Sequence, residues 1–304
     1  VGLFLSGGLD SSINASLFKT DGAVDMQTFT VGYKGNHYKE EDELFYARLM
    51  AKSVNATHNE VIISEYDFKS FLPKMIHLQD EPIADPVCMP VYSISNLARS
   101  KGVKVCHVGE GADELFFGYP MWRYWLVLQK LFNSFPFLAS ATTMLSPWNN
   151  KKAILRLLEA SSRFKSGMPI FWSTAEGPTN QIKSSLLGES LENYDDVSGW
   201  RDVEPLWKRF STNSNVNIKD PLQWMAFIEL NIRLPELLLM RVDKMSMGAS
   251  IEGRVPFLDH KLVEFALSIP LKFKAKNLVT KSLLKDIFSS RLPQEITHRK
   301  KQGF

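Results

Sequence analysis

The stretch from Val1 to Ser12, VGLFLSGGLDSS, constrains this chain more than any other. Val1 to Leu5 reads as a buried strand, Ser6-Gly7-Gly8 as a tight turn, and Leu9 to Ser12 as the start of a helix. A strand that empties through glycines into a helix points the free N–H groups of the first helical turn at one spot. There they and the helix dipole hold an anion such as a phosphate. Gly7 and Gly8 keep side chains out of the anion's way, while Ser6, Ser11 and Ser12 add hydroxyl donors. The next lysine downstream is Lys19, so the spacing is not that of a Walker P-loop. Asp10 beside a triphosphate would be repelled by about 4 kcal/mol at about 4 Å and an effective dielectric of about 20. A Mg²⁺ between them removes that conflict. Asp10 also reads as an ordinary helix N-cap.

The residues after Ser12 predict an α/β fold, a parallel sheet with helices on both faces. Met26 to Val31 is a second β-rich run closed by Gly32, and Glu40 to Asn55 an amphipathic helix with acidic residues in its first turn. Val61 to Ser64 reads as a strand and Tyr66 to Leu78 as a helix, which gives the β–α–β–α alternation of a parallel sheet. Ligands in such sheets lie outside the carboxyl ends of the strands, where the loop after Leu5 and the turn after Val31 fall. Val103 to Val108 is another short apolar run, emptying into Gly109, Glu110, Gly111, Ala112, Asp113 and Glu114. Asp113, reaching from a neighbouring strand end, would share the Mg²⁺ with Asp10. The same acids also suit a helix N-terminus. Between these motifs, Gln79 to Met89 carries three acids and two prolines and reads as a stiff loop, with Asp80, Glu81 and Asp85 solvated.

From Pro120 to about Asp220 aromatic clusters, scattered prolines and Ser/Thr/Asn-rich stretches predict helices joined by loops. Pro221 to Asn231 and Pro235 to Lys244 read as two helices, each with a proline near its start. Arg241, Asp243, Lys244, Glu252 and Arg254 crowd an otherwise apolar neighbourhood, so structural ion pairing is expected for most of them. Asp259 is placed to cap a further amphipathic helix, and Thr280 to Ser290 forms another. His298 to Lys301 is a basic knot, either a solvated tail or a cation pressed toward phosphate.

Bulk numbers narrow the class. With 304 residues, 44% hydrophobic and 23% charged, the chain can build one large or two medium cores. Its 36 basic and 33 acidic residues are too balanced to suggest a nucleic-acid or membrane surface. Cys88 and Cys106 follow no metal-ligand spacing, which predicts two reduced thiols. No apolar run is long enough to span a bilayer and no signal peptide is legible, so a cytoplasmic location is expected. The chain opens inside an apolar run and stops on Gly303-Phe304, the expectation for a piece of a longer protein.

SGGLDSS resembles the pyrophosphatase loop of ATP-dependent enzymes that adenylate a carboxylate or carbonyl. Together with VGEGADELFFGY (108–119), RVDKMSMGASIEGRVPFLDH (241–260) and RKKQGF (299–304), it resembles the synthetase domain of glutamine-dependent asparagine synthetases, over the whole chain. The resemblance implies an adenine-nucleotide-binding α/β part over 1–120 and a mainly helical part over 121–304. It implies ATP at Leu5, Ser6, Gly7, Gly8, Asp10, Ser11, Val31, Val108 and Gly109, and Mg²⁺ at Asp10 and Asp113. Leu5 and Val31 read equally as plain core residues. Glu110 would take a proton from an attacking nitrogen, and Lys301 would hold the charge that grows on the α-phosphate.

The implied reaction turns aspartate into β-aspartyl-AMP, which ammonia converts to asparagine, with AMP and pyrophosphate released. Relatives of this kind carry an N-terminal glutaminase domain with a nucleophilic cysteine. Nothing in these residues matches it, so a glutaminase domain or partner is expected, and a homodimer is left open. Two departures stand out. Pro86 to Met89 replaces the Arg-Ala-Ser run expected before Pro90, so the acid is not fixed, and Val108 replaces a small polar residue that would bond the nucleotide. Related amidotransferases or cyclases acting on a sugar acid, a peptide or a β-lactam precursor remain alternatives, although β-lactam-forming relatives would have tyrosine in place of Glu110. A non-catalytic nucleotide-binding homologue is a further alternative, opposed by the presence of Asp10, Glu110, Asp113 and Lys301.

Overall fold

A computed structural model of the chain describes residues 1–20, 25–35, 43–81, 83, 85–142, 144, 152–177, 180, 182–183, 198–213 and 220–299. The chain divides into two compact units, one formed by 1–116, 236–268 and 281–304, the other by 117–235 and 269–280. The sequence places one boundary near residue 120, and the contacts show the chain leaving the first unit there and then returning to it twice.

The first unit is built on five parallel strands in the order β3-β2-β1-β4-β5: β1 (Gly2–Phe4), β2 (Gln27–Tyr33), β3 (Thr57–Ile63), β4 (Val105–His107) and β5 (Glu252–Arg254). Helices α1 (Leu9–Thr20), α2 (Glu43–Ser53), α3 (Glu65–Gln79) and α4 (Cys88–Ser100) join the first four strands. The α/β reading of the sequence is therefore right, and the strands at the centre of the sheet are the apolar ones. Phe29 packs with Ile94, Ala98, Val103, Cys106 and Ile251 on the α4 face, and Val31 continues that core with Phe71, Met75, Met89 and Met245. On the opposite face Leu44 of α2 lies so close to Gly32 that a Cβ there would sit 2.6 Å from its Cδ1.

Two strands differ from the sequence expectation for one reason. β3 begins at Thr57, four residues before the apolar run, and β5 is Glu-Gly-Arg. Both are edge strands with a single neighbour, so solvent tolerates their polar side chains and the apolar signal is weak. The expected helix over Glu40 to Asn55 is α2 from Glu43 onward, with positions 40–42 outside the described residues. The capping of α3 is complete: Ser64 Oγ accepts from Asp67 N, and the Asp67 carboxylate accepts from Ser64 N. Of the expected loop over Gln79 to Met89, Gln79 still belongs to α3 and Cys88 and Met89 already to α4, and the other described residues lie outside helix and strand.

Five further helices of the first unit complete the sheet's surroundings: α5 (Ala112–Leu115), then, numbered past those of the second unit, α11 (Met240–Met247), α12 (His260–Ser268), α14 (Ser282–Phe288) and α15 (Gln294–Thr297). Asp259 caps α12 as expected, accepting from Lys261 N at 3.0 Å. The second unit is helical among its described residues: α6 (Met121–Ser134), α7 (Phe137–Ala141), α8 (Lys152–Lys165), α9 (Trp200–Ser211), α10 (Pro221–Asn231) and α13 (Leu271–Lys274). Its core is aromatic. Trp122 is fully buried against Phe117 and Phe171, and Trp224 packs on Trp207, Phe210 and Phe227 while its indole donates to Phe171 O at 2.7 Å.

Gly7 is the residue on which the first loop turns. Its φ is +68°, and a Cβ would lie 2.5 Å from Tyr46 Cβ and 2.6 Å from Ala47 N of α2. Gly35 has φ +86° with nothing within 4 Å of an added Cβ. Gly35→Ala is therefore expected to cost only the left-handed backbone penalty, about 1–2 kcal/mol. Gly7→Ala adds a steric displacement of α2 worth about another 1–3 kcal/mol. Urea unfolding of the two variants checks this, and equal midpoints would refute it.

Candidate active site

In the order β3-β2-β1-β4-β5 the chain starts at β1, runs outward to β3, and crosses back to β4 on the other side of β1. The crevice between the ends of β1 and β4 is thus the switch point of the sheet, where connections leave in opposite directions and a ligand can enter. Two sequence motifs meet there. β1 ends in the SGGLDSS loop and β4 in Val108 to Glu114. Asn14 Nδ2 donates to Val108 O at 3.3 Å, and a Cβ on Gly109 would lie 3.2 Å from Ser11 N and 3.3 Å from Asp10 Cβ. Glycine at 109 lets the second loop press against the first turn of α1.

The first loop braces itself. Gly8 N donates to Ser6 Oγ at 3.3 Å, Ser11 Oγ donates to Gly8 O at 3.2 Å, and the Ser6 and Ser11 hydroxyls are 3.1 Å apart. Since the Ser11 hydrogen goes to Gly8 O, Ser6 is the donor between the two hydroxyls. Leu5 and Val31 are 0% and 2% exposed, so their side chains belong to the core, and the main chain of Leu5 donates to Phe29 O and accepts from Thr30 Oγ1. Val108 is likewise buried, with its N–H given to Arg254 O at 2.7 Å.

Asp10 lies in the first turn of α1, one residue inside the helix rather than at its cap, and its carboxylate is held by Lys281. Lys281 Nζ is 2.5 Å from Asp10 Oδ2 and 2.6 Å from Asp113 Oδ1. The sequence reading brought Asp10 and Asp113 together correctly but missed the lysine between them. Burial works against the charge of this lysine, and the two carboxylates outweigh it, so its pKa is raised. A Lys at φ +52° just before an apolar helix gives no sequence signal of this position.

Glu110 sits beside this pair with about a quarter of its side chain exposed. Burial pushes its carboxyl pKa up; Arg241 opposes that shift, while Asp113 and Asp10 add to it. Arg241 Nη2 is 3.2 Å from Glu110 Oε1, and its Nη1 is 2.9 Å from Asp85 Oδ2. Asp85 is only 10% exposed and also accepts from Val87 N at 2.9 Å, so the solvated reading of this acid is corrected. The other charges of that segment pair as expected, Lys244 with Asp80 and Arg254 with Glu252. Arg299, within the basic knot, donates to Ser6 O at 3.3 Å and lies over the Tyr46 ring. Lys301 lies outside the described residues.

The donor set at the switch point fits a magnesium ion. One ammonium nitrogen touches both carboxylates, so a single six-coordinate cation is able to touch both as well. No cluster of three or more acidic, His or Cys ligands exists among the described residues. Two carboxylates, with phosphate oxygens and water in the other positions, are the usual supply for this ion.

Comparison with known proteins identifies the family. The family model described as asparagine synthase matches residues 1–304. The chain belongs to the asparagine synthase family. It is similar to asparagine synthetase [glutamine-hydrolyzing] 1 of Bacillus subtilis, 32% identical over all of this chain and 46% of that protein. It is also similar to a putative asparagine synthetase [glutamine-hydrolyzing] of Mycobacterium bovis, 30% identical over all of this chain and 44% of that protein. A third relative, asparagine synthetase [glutamine-hydrolyzing] 3 of Bacillus subtilis, is 28% identical over 99% of the chain and 44% of its own length. The chain thus spans less than half the length of these relatives. Asparagine synthases are ATP-using ligases.

Lys281→Met in this asparagine synthase domain removes the cation that bridges the two carboxylates. Removing one partner from a buried ion network costs about 3–5 kcal/mol. The expected result is a lower melting temperature that millimolar Mg²⁺ partly restores, because the divalent ion takes the vacated place. A loss that Mg²⁺ does not relieve would show that the pair binds no metal.

Proposed function

We propose that this domain activates a carboxylate with MgATP as an acyl-adenylate and passes the acyl group to ammonia, with aspartate to asparagine as the default pair. The observation that supports it is the convergence of Asp10 and Asp113 at the switch point, next to a partly buried Glu110 held by Arg241. In the first half-reaction a carboxylate oxygen attacks the α-phosphorus, the bond to the β-phosphate breaks, and pyrophosphate leaves. The N–H groups of the SGGLDSS loop hold the departing phosphates, and Lys281 supplies positive charge beside them. Magnesium bound by Asp10 and Asp113 would neutralise the phosphate chain. Lys301 is proposed to hold the charge on the α-phosphate oxygens.

In the second half-reaction ammonia attacks the acyl carbon, the nitrogen loses a proton, and the bond to AMP breaks. Glu110 accepts that proton. Its raised pKa brings it nearer the working pH than an ordinary glutamate, which suits a base, and Arg241 fixes its orientation. Asp85 holds Arg241 from the other side. Ammonia itself is proposed to come from outside this chain. Cys88 and Cys106 are fully buried, and burial pushes their thiols up to about 11 and about 12, so neither is a thiolate ready to attack glutamine. A glutaminase domain or partner, as in the glutamine-hydrolyzing relatives, would supply it.

ATP–pyrophosphate exchange with aspartate and a panel of other acids tests the reading. Exchange that depends on an added acid is expected, and none with any acid would refute it. In Glu110→Gln the exchange should survive within about tenfold while amide formation falls by about 10²–10⁴. At fixed total ammonia, wild-type amide formation should rise with pH, since both Glu110 and ammonium must lose a proton. Equal loss of both half-reactions in the variant would make Glu110 a positioning residue.

A further inference from the structure

Arg299, two residues past the end of α15, reaches the first loop from the far end of the chain. Its Nη1 donates to Ser6 O at 3.3 Å, and its guanidinium carbon lies 4.2 Å from the centroid of the Tyr46 ring. Tyr46 belongs to α2, and its Cβ is the atom nearest to where a Cβ on Gly7 would fall, 2.5 Å away. The Ser6–Gly7 peptide is therefore bordered by α2 and by the segment after α15.

Local sterics alone do not fix the plane of this peptide. Gly7 has φ +68°, and glycine takes negative φ as readily, so the plane can turn over by joint rotation about Ser6 ψ and Gly7 φ. The peptide is trans, which sets its C=O and N–H on opposite sides. With Ser6 O turned to Arg299, the Gly7 N–H points the other way, and it meets no acceptor among the described residues. The N–H groups of Leu9 and Ser11, in the first turn of α1, meet none there either. Were the plane to turn over, a carbonyl oxygen would stand in place of a donor where an anion has to bind. We infer that Arg299, seated on Tyr46, is a positioning residue for the phosphate loop: it holds Ser6 O and so keeps the Gly7 N–H aimed at the pyrophosphate part of the nucleotide. Neither side chain needs to touch the ligand. The inference rests on the MgATP reading, because that reading puts pyrophosphate at this loop.

Isothermal titration of the whole chain with pyrophosphate and Mg²⁺, together with ATP–pyrophosphate exchange, tests it. Wild type should bind pyrophosphate at one site. Arg299→Met should weaken that binding at least about tenfold through loss of a charge-assisted donor, and Tyr46→Leu, which changes no charge, at least about threefold. In exchange, both variants should raise the KM for ATP and for pyrophosphate and leave the KM for the acid within about twofold, whereas a merely structural defect would lower kcat alone. Melting curves establish that each variant is folded, and Tyr46→Leu alone decides if Arg299→Met is not. Pyrophosphate bound by either folded variant as tightly as by wild type overturns the inference and leaves the ligase reading standing, as does an equal rise in the KM for the acid. No pyrophosphate binding by wild type overturns both.

Discussion

A single ammonium group, Lys281 Nζ, lies between two carboxylates that come from the ends of neighbouring strands. Much of the first unit is arranged to make that meeting possible. Asp10 is delivered by the glycine turn after β1, Asp113 by the loop after β4, and Lys281 by a chain segment that returns from the second unit. Charges this poorly exposed are costly unless paired, so the three segments are tied together electrostatically as well as by packing. The same pairing sets two acids side by side at the switch point of the sheet.

A second ionic chain runs beside the first, from Asp85 through Arg241 to Glu110. Its middle member comes from α11, near the point where the chain re-enters the sheet unit. Glu110 is therefore held from one side by a cation and faced on the other by Asp10 and Asp113, both of which favour its protonated form. Glu110, whose carboxyl pKa is pushed up by burial, is bonded by Arg241, whereas Asp10 and Asp113 are paired with Lys281.

Much of this was legible in the residues. Apolar runs ending in glycine located the central strands; Gly7 and Gly109, read as leaving room for a ligand, leave room for α2 and for the first turn of α1. What escaped was polar or distant in sequence. β5 reads as charge because an edge strand needs no apolar face, and β3 lost its first four residues for the same reason. Asp85 looked solvated because its partner, Arg241, lies 156 residues away. Lys281 is 271 residues from Asp10, and no local pattern marks a lysine whose partners are assembled only by the fold.

The central claim is that a carboxylate oxygen becomes bonded to the α-phosphorus of ATP. Supplying the acid that supports pyrophosphate exchange, labelled with ¹⁸O in its carboxylate, and analysing the products by mass spectrometry tests it most directly. The account predicts that each amide formed leaves one ¹⁸O in AMP, with none in pyrophosphate. Label recovered in inorganic phosphate, accompanied by ADP, would mean attack at the γ-phosphorus and would contradict it.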